Sequence, residues 1–247
     1  MNLLLLDFES TGIDPLADRI TEYFFELYDP EKDLSYDISE GLVWDENYPP
    51  ISTEVEELVG ISSEELRSLG KNPKEILSEY QRMAQEANYV VAHNGKVFDK
   101  ILLETEFTRQ GMPQHHLPWI CTRFDMPYPA KQKCRKLSHI AVDHGILVDP
   151  SKLHSAEGDV WLMKEILKKY DIHKVIEYAE SPNIYLISSV GYNDRQLAKD
   201  RGYSWETPAN TKRFFSKSWV KCIKECELKG ALEEAAEAPF KVTIVRD

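Results

Sequence analysis

The chain has 247 residues, 42% of them hydrophobic and 29% charged, with 11 Gly and 13 Pro. This excludes a stapled mini-protein, a collagen-like chain and a wholly disordered one, and it allows one full core plus a small second domain. Thirty Lys and Arg against 42 Asp and Glu leave a net charge of −12, the reverse of a protein that coats duplex nucleic acid by bulk charge. No apolar run approaches the roughly 18 residues of a membrane span, and no basic segment leads into an apolar stretch at the N-terminus, so neither a span nor a secretory leader is expected. The Cys at 121, 134, 222 and 226 form no C-x-x-C pair. A reducing, cytoplasmic compartment is the expectation.

In chain order, Leu3 to Leu6 reads as a short buried strand. Ile20 to Tyr28 and Leu34 to Trp44, rich in aromatic and β-branched residues, continue it as an antiparallel meander. Helices are predicted over Glu54–Glu57, Ser63–Ser68 and Pro73–Glu86, the last with Ile76, Leu77, Tyr80 and Met83 on one face. A buried strand follows over Tyr89–Ala92, then a helix over Phe98–Arg109 closed by Gly111, and helices over Cys134–His144 and Ala156–Tyr170. Three leading strands and then strands alternating with helices give an α/β fold with a mixed sheet flanked by helices.

Charge divides the chain near residue 180. Residues 1–182 carry 19 basic and 33 acidic side chains, whereas 183–229 carry 9 and 5. With the turn signal Ser181-Pro182-Asn183, this separates a domain over 1–180 from a small α+β domain over 183–247. The tail reads β-α-β-β-α-β: Tyr185–Val190, Asp194–Arg201, Tyr203–Trp205, Phe214–Ser216, Trp219–Ala238 and Phe240–Val245. Its Tyr192, Tyr203, Trp205, Phe214, Phe215 and Trp219 are interleaved with Arg195, Lys199, Arg201, Lys212, Arg213 and Lys217. Such a mixture can stack bases and track phosphates of a single strand, or supply the core of a small module.

The chemistry gathers in three acidic elements. Asp7 and Glu9 close the first strand; residues i and i+2 share a face, so the two carboxylates point together and Phe8 points away. Asp99 opens a helix after His93-Asn94-Gly95, where free N–H groups favour a carboxylate. Asp159 lies in the first turn of the helix that Ser155 caps, leaving His154 on the preceding loop. Each element alone reads more readily as a solvated strand end or an ordinary helix start. Together they place four carboxylates at element edges around one cleft, and such a cluster calls for cations to relieve its repulsion. All-oxygen ligands suit Mg²⁺ or Mn²⁺.

Asp7-Phe8-Glu9-Ser10-Thr11-Gly12, His93-Asn94 through Phe98-Asp99, and His154-x-Ala156-x-x-Asp159 resemble, in order, the three motifs of the DEDDh 3′-to-5′ exonucleases. Val59-Gly60-Ile61-Ser62-Ser63-Glu64-Glu65-Leu66 resembles a further phrase of that family, with Val59 where His is usual, and Trp119-Ile120-Cys121-Thr122 is similar to text of its exodeoxyribonuclease X-like members. The likeness covers about residues 1–175. It implies a ribonuclease-H-like fold and two Mg²⁺ or Mn²⁺ ions held by Asp7, Glu9, Asp99 and Asp159, with Asp7 shared. It further implies His154 as general base and Thr11, Gly12, Asn94 and Phe98 as substrate-binding positions. The implied reaction is hydrolysis at DNA 3′ ends, with single strands the expected form, releasing nucleoside 5′-monophosphates. Trimming of RNA is the alternative within the family, and a non-catalytic nucleic-acid-binding or scaffolding protein the alternative outside it. No motif names a protein partner. A zinc site built from His115, His116, Cys121, Cys134, His139 or His144 fits no ligand spacing, and Cys222 and Cys226, four apart on the helix predicted there, read as ordinary thiols.

Overall fold

The computed structural model describes residues 1–48, 51, 53, 56, 60–129, 132, 134–206 and 217–246. The chain divides into two compact units, Met1–Ile176 and Glu177–Asp247. The first is built on a five-stranded mixed sheet of β1 (Leu3–Ser10), β2 (Ile20–Asp29), β3 (Leu34–Leu42), β4 (Tyr89–Ala92) and β5 (Trp119–Cys121). Its order is β3-β2-β1-β4-β5, antiparallel through the first three strands and parallel from β1 to β4 to β5. Its helices include α1 (Ser63–Leu69), α2 (Pro73–Ala84), α3 (Asp99–Gln110), α4 (Leu137–Asp143) and α5 (Ala156–Leu167), with α6 (Ile172–Glu180) containing the point of division. This is the ribonuclease-H-like α/β fold.

β1 is central, so both of its faces are covered and Leu3 to Leu6 are wholly buried. Leu4, Leu6 and Phe8 pack with Ile76, Leu77, Tyr80 and Met83 of α2 and Leu102, Leu103 and Phe107 of α3. Alternation sends Leu3, Leu5, Asp7 and Glu9 to the opposite face, and α5 packs against β1 and β2. The helix ends follow their sequence signals. Ser62 and Glu65 form a capping box on α1, Asn72 caps α2 ahead of Pro73, and Gly111 closes α3 in the left-handed region at φ 64°.

The second unit holds an antiparallel sheet of order β7-β8-β6-β9, made of β6 (Asn183–Ser188), β7 (Ser204–Glu206), β8 (Ser218–Lys224) and β9 (Val242–Arg246). Among its described residues, α7 (Arg195–Asp200) and α8 (Leu228–Ala236) are α-helical.

Several expectations are corrected. The helix expected over 219–238 is instead strand β8, a short 3-10 turn over Glu225–Glu227 and α8. As an inner strand β8 is apolar on both faces, Trp219 and Ile223 on one and Val220 on the other, which hides the period of two. Cys222 and Cys226 therefore do not share a helix. The helix expected over 134–144 starts only at Leu137, where Lys136 holds extended backbone and offers no side-chain cap. The helix expected to reach Tyr170 ends at Leu167, and 168–170 form a turn in which Lys169 and Tyr170 donate three residues back. β3 stops at Leu42, and Trp44 donates to the Lys71 carbonyl. Strand β5 and helix α6 are additions to the elements expected from the sequence. Of the helix expected over 54–57 only Glu56 is among the described residues; Val59, the expected strand over 214–216, Lys212, Arg213, Phe214 and Phe215 lie outside them. No described helix is long and apolar enough to cross a membrane.

Candidate active site

The acids meet where β1 outruns its neighbour. β4 pairs only with Leu3 to Leu5, so the far end of β1 has no strand on that side, the position at which α/β sheets build sites. Asp99, the first residue of α3 and only 3% exposed, fills this gap: its carboxylate accepts the backbone N–H groups of Phe8 and of Asp99 itself. Those bonds offset part of the cost of burying a charge.

The start of α5 supplies the remaining pair. Ser155 caps the helix, accepting the Gly158 N–H at 3.2 Å, and Asp159 lies in the first turn. His154, one residue before the cap, is exposed on the loop at φ 63°, a left-handed conformation uncommon for a non-glycine residue. A Cβ at Gly158 would collide with the Lys152 backbone carbonyl, so the loop that carries His154 can fold down onto α5 only over a glycine.

The electrostatics tie these groups together. Burial first, then the charges of Asp99, Asp159, Glu9 and Glu22, raise the Asp7 carboxyl well above its ordinary range. Burial, with Asp159, Glu22 and Asp99, pushes Glu9 up to about 8. Burial pushes Asp99 up to about 7, with Asp159 adding to the rise. Asp159 is raised by burial and restrained by the His154 imidazole and backbone N–H. Mutual repulsion of this kind marks a cluster lacking counter-charge. The oxygen donors and the uncompensated field fit hard divalent cations. Among the described residues no three His, Cys, Asp or Glu side chains stand as a closed ligand set, so carboxylate rotation would accompany ion binding.

Glu22 is the residue that sequence reasoning missed. It lies directly opposite Glu9 in the β1–β2 pair, and its carboxylate accepts the backbone N–H of Ala156, the first residue of α5. Its Oε2 is buried without a hydrogen-bond partner. The available signal was the strand alternation of β2 against β1, which requires the hairpin register to be known first.

The other candidates divide. The Thr11 hydroxyl donates to Asp18 at 2.9 Å and accepts the Arg19 N–H at 3.0 Å. A Cβ on Gly12 would come within 2.6 Å of the same Asp18 carboxylate. Asp18, also accepting the Asp14 N–H at 2.8 Å, organises the loop after Glu9 and was likewise missed. Asn94 adopts φ 65° and accepts from Arg123 at 3.4 Å. Phe98 is half-buried against the core at the N-cap of α3. His93 is structural: it bridges the Thr122 hydroxyl and the Arg135 carbonyl, and burial pushes its imidazole down to about 4. His144 is engaged by the Ile140 carbonyl and the Tyr170 hydroxyl, and Cys121 is buried in β5.

No protein-family model matches the chain, and no curated protein matches it. Solved structures do. Exonuclease I of E. coli in complex with a dT13 oligonucleotide is similar with a TM-score of 0.62 at 13% identity, covering 90% of this chain and 63% of that one. A second structure of exonuclease I gives 0.62 at 16% identity, covering 98% of this chain and 62% of that one. The chain thus spans under two-thirds of the length of exonuclease I. The nuclease domain of 3′hExo, a DEDDh family member bound to rAMP, gives 0.57 at 17% identity, covering 68% of this chain and 90% of that domain.

Proposed function

We propose that this chain is a metal-dependent 3′-to-5′ exonuclease that hydrolyses phosphodiester bonds at DNA 3′ ends and releases nucleoside 5′-monophosphates. The observation that carries this reading is the set of carboxylates Asp7, Glu9, Asp99 and Asp159, one buried and three half-buried, each raised by desolvation and the first three also by neighbouring carboxylates, on the fold of two nucleases whose structures hold nucleic acid or a nucleotide.

Asp7, Glu9, Asp99 and Asp159 would hold two Mg²⁺ or Mn²⁺ ions, and Asp7, whose carboxyl is raised by the other three and by Glu22, would contribute the charge common to the cluster. Bound there, the ions supply Lewis acidity and positive charge for an in-line displacement at phosphorus. His154 takes a proton from the attacking water at an imidazole nitrogen, and its exposed loop position lets it approach from solvent. The backbone at Thr11 and Gly12 grips the terminal nucleotide, since Asp18 holds that loop rigid and Gly12 offers no side chain to keep the strand away. Asn94 and Phe98 line the same end of the sheet. The four positive charges of the ions let a polyanion bind to a chain of net charge −12.

The RNA alternative draws support from the rAMP bound to 3′hExo. One experiment separates the readings: 5′-labelled single-stranded DNA and RNA oligonucleotides incubated with Mg²⁺, Mn²⁺ or EDTA. The proposal expects a ladder shortening from the 3′ end on DNA that EDTA abolishes. A ladder on RNA alone would move the assignment to an exoribonuclease, and intact oligonucleotides under every condition would sink both.

A further inference from the structure

The second unit carries a dense mixture of aromatic and basic residues, and the structure sorts it. Tyr203 and Trp219 are buried with Ile184, Leu186 and Ile223, as the core of so small a module requires. Tyr192 and Trp205 are not: they are 76% and 55% exposed. Both border a groove of about 400 Å³ whose walls also include Val190, Arg195, Lys199 and Trp219, a volume suited to a nucleotide-sized group. Trp205 stands directly across the β7–β8 pair from Trp219, ring centroids 5.5 Å apart, so the buried indole fixes the exposed one. The Arg195 guanidinium carbon lies 4.2 Å from the centre of the Tyr192 ring, and Arg195 donates to the Tyr192 carbonyl at 3.0 Å. Lys199, one turn further along α7, is exposed and lines the same groove. None of the described residues lining the groove is acidic, in a chain with 42 acidic side chains.

We propose that this groove binds single-stranded nucleic acid, stacking a base on Tyr192 and Trp205 while Arg195 and Lys199 meet the adjoining phosphates. Exposed π-faces beside cations, with no acid on the groove wall, match a polyanion whose units each offer a flat ring and a negative charge. An apolar peptide would use the rings and leave both cations without a counter-charge. The proposal rests on the exonuclease reading only for its choice of a strand as occupant. It adds a second hold on that strand, joined to the first through the chain and so raising the local concentration of substrate.

The test uses the full chain in EDTA, where hydrolysis is silent, with fluorescently labelled dT20 and rU20 as probes. Tyr192→Ala and Trp205→Ala should each weaken binding roughly 5- to 100-fold, the range for removal of a single base stack. Lys199→Glu, an exposed substitution that spares the core, should weaken binding and flatten the salt dependence by about 0.7 for each phosphate it ceases to neutralise. Unchanged affinity in all three variants, with thermal unfolding like that of the parent, overturns the proposal. Weakening by the aromatic variants with an unaltered salt slope in Lys199→Glu overturns the phosphate contact assigned to Lys199. Asp7→Asn keeps the two questions apart: its loss of hydrolysis with Mn²⁺ tests the active site, whereas its EDTA binding reports on the groove.

Discussion

At the scale of single residues, the site is a contest between repulsion and anchoring. Asp7, half-buried, feels four other carboxylates, each of which raises its pKa, and it is one of the four positions that would hold the ions. Asp7→Ala should therefore remove nearly all hydrolysis, measured as release of mononucleotide from a labelled strand. His154→Ala leaves the acids in place and should lower kcat by about 10²–10⁴, the usual contribution of a general base. A rate equal to the parent's would remove His154 from the mechanism. Glu22 acts through α5: Glu22→Ala strips the Ala156 N–H of its acceptor and should cost roughly 10- to 100-fold in metal affinity or activity. Glu22→Gln keeps an acceptor oxygen and should recover much of that loss. Titrating Mn²⁺ against kcat for the two variants separates orientation of the helix from the extra charge.

At the scale of elements, the start of α5 matters most, because His154 and Asp159 both depend on it. Gly158→Ala places a methyl group against the Lys152 carbonyl. It should destabilise the protein by about 1–3 kcal/mol and lower kcat more than it raises KM, read by thermal unfolding and steady-state kinetics. Ser155→Ala removes the cap and should cost about 1 kcal/mol. Much of this is legible in the sequence. Ser155 as cap, Asp99 at a helix start and the Asp7–Glu9 pair on one face all follow from local rules. Glu22 and Asp18 are not legible there, because each works through a partner that only the folded chain brings alongside: the Ala156 N–H in one case, the Thr11 hydroxyl in the other. In β8, apolar residues on both faces erase the alternation that names a strand. β5, three residues long, is too short to show any period.

At the scale of the whole molecule, the buried acids link stability to pH and to metal. Without cations, Glu9 at about 8 and Asp99 at about 7 keep protons in the folded chain that the unfolded chain has already released. The folded state therefore binds the more protons across that window, and raising pH from about 5 to 8 should lower Tm in EDTA. Mg²⁺ or Mn²⁺ should raise Tm, and by more at pH 8, where the carboxylates need not be stripped of protons first. A flat profile in EDTA, with no response to Mn²⁺, would contradict the buried cluster. The order of the acids along the chain has one more effect. During synthesis Asp7 and Glu9 leave the ribosome early, Asp99 much later and Asp159 last, since β1 must wait for α3 and then for α5. On the proposed mechanism, a nascent chain would thus stay chemically silent until that final helix has emerged and docked.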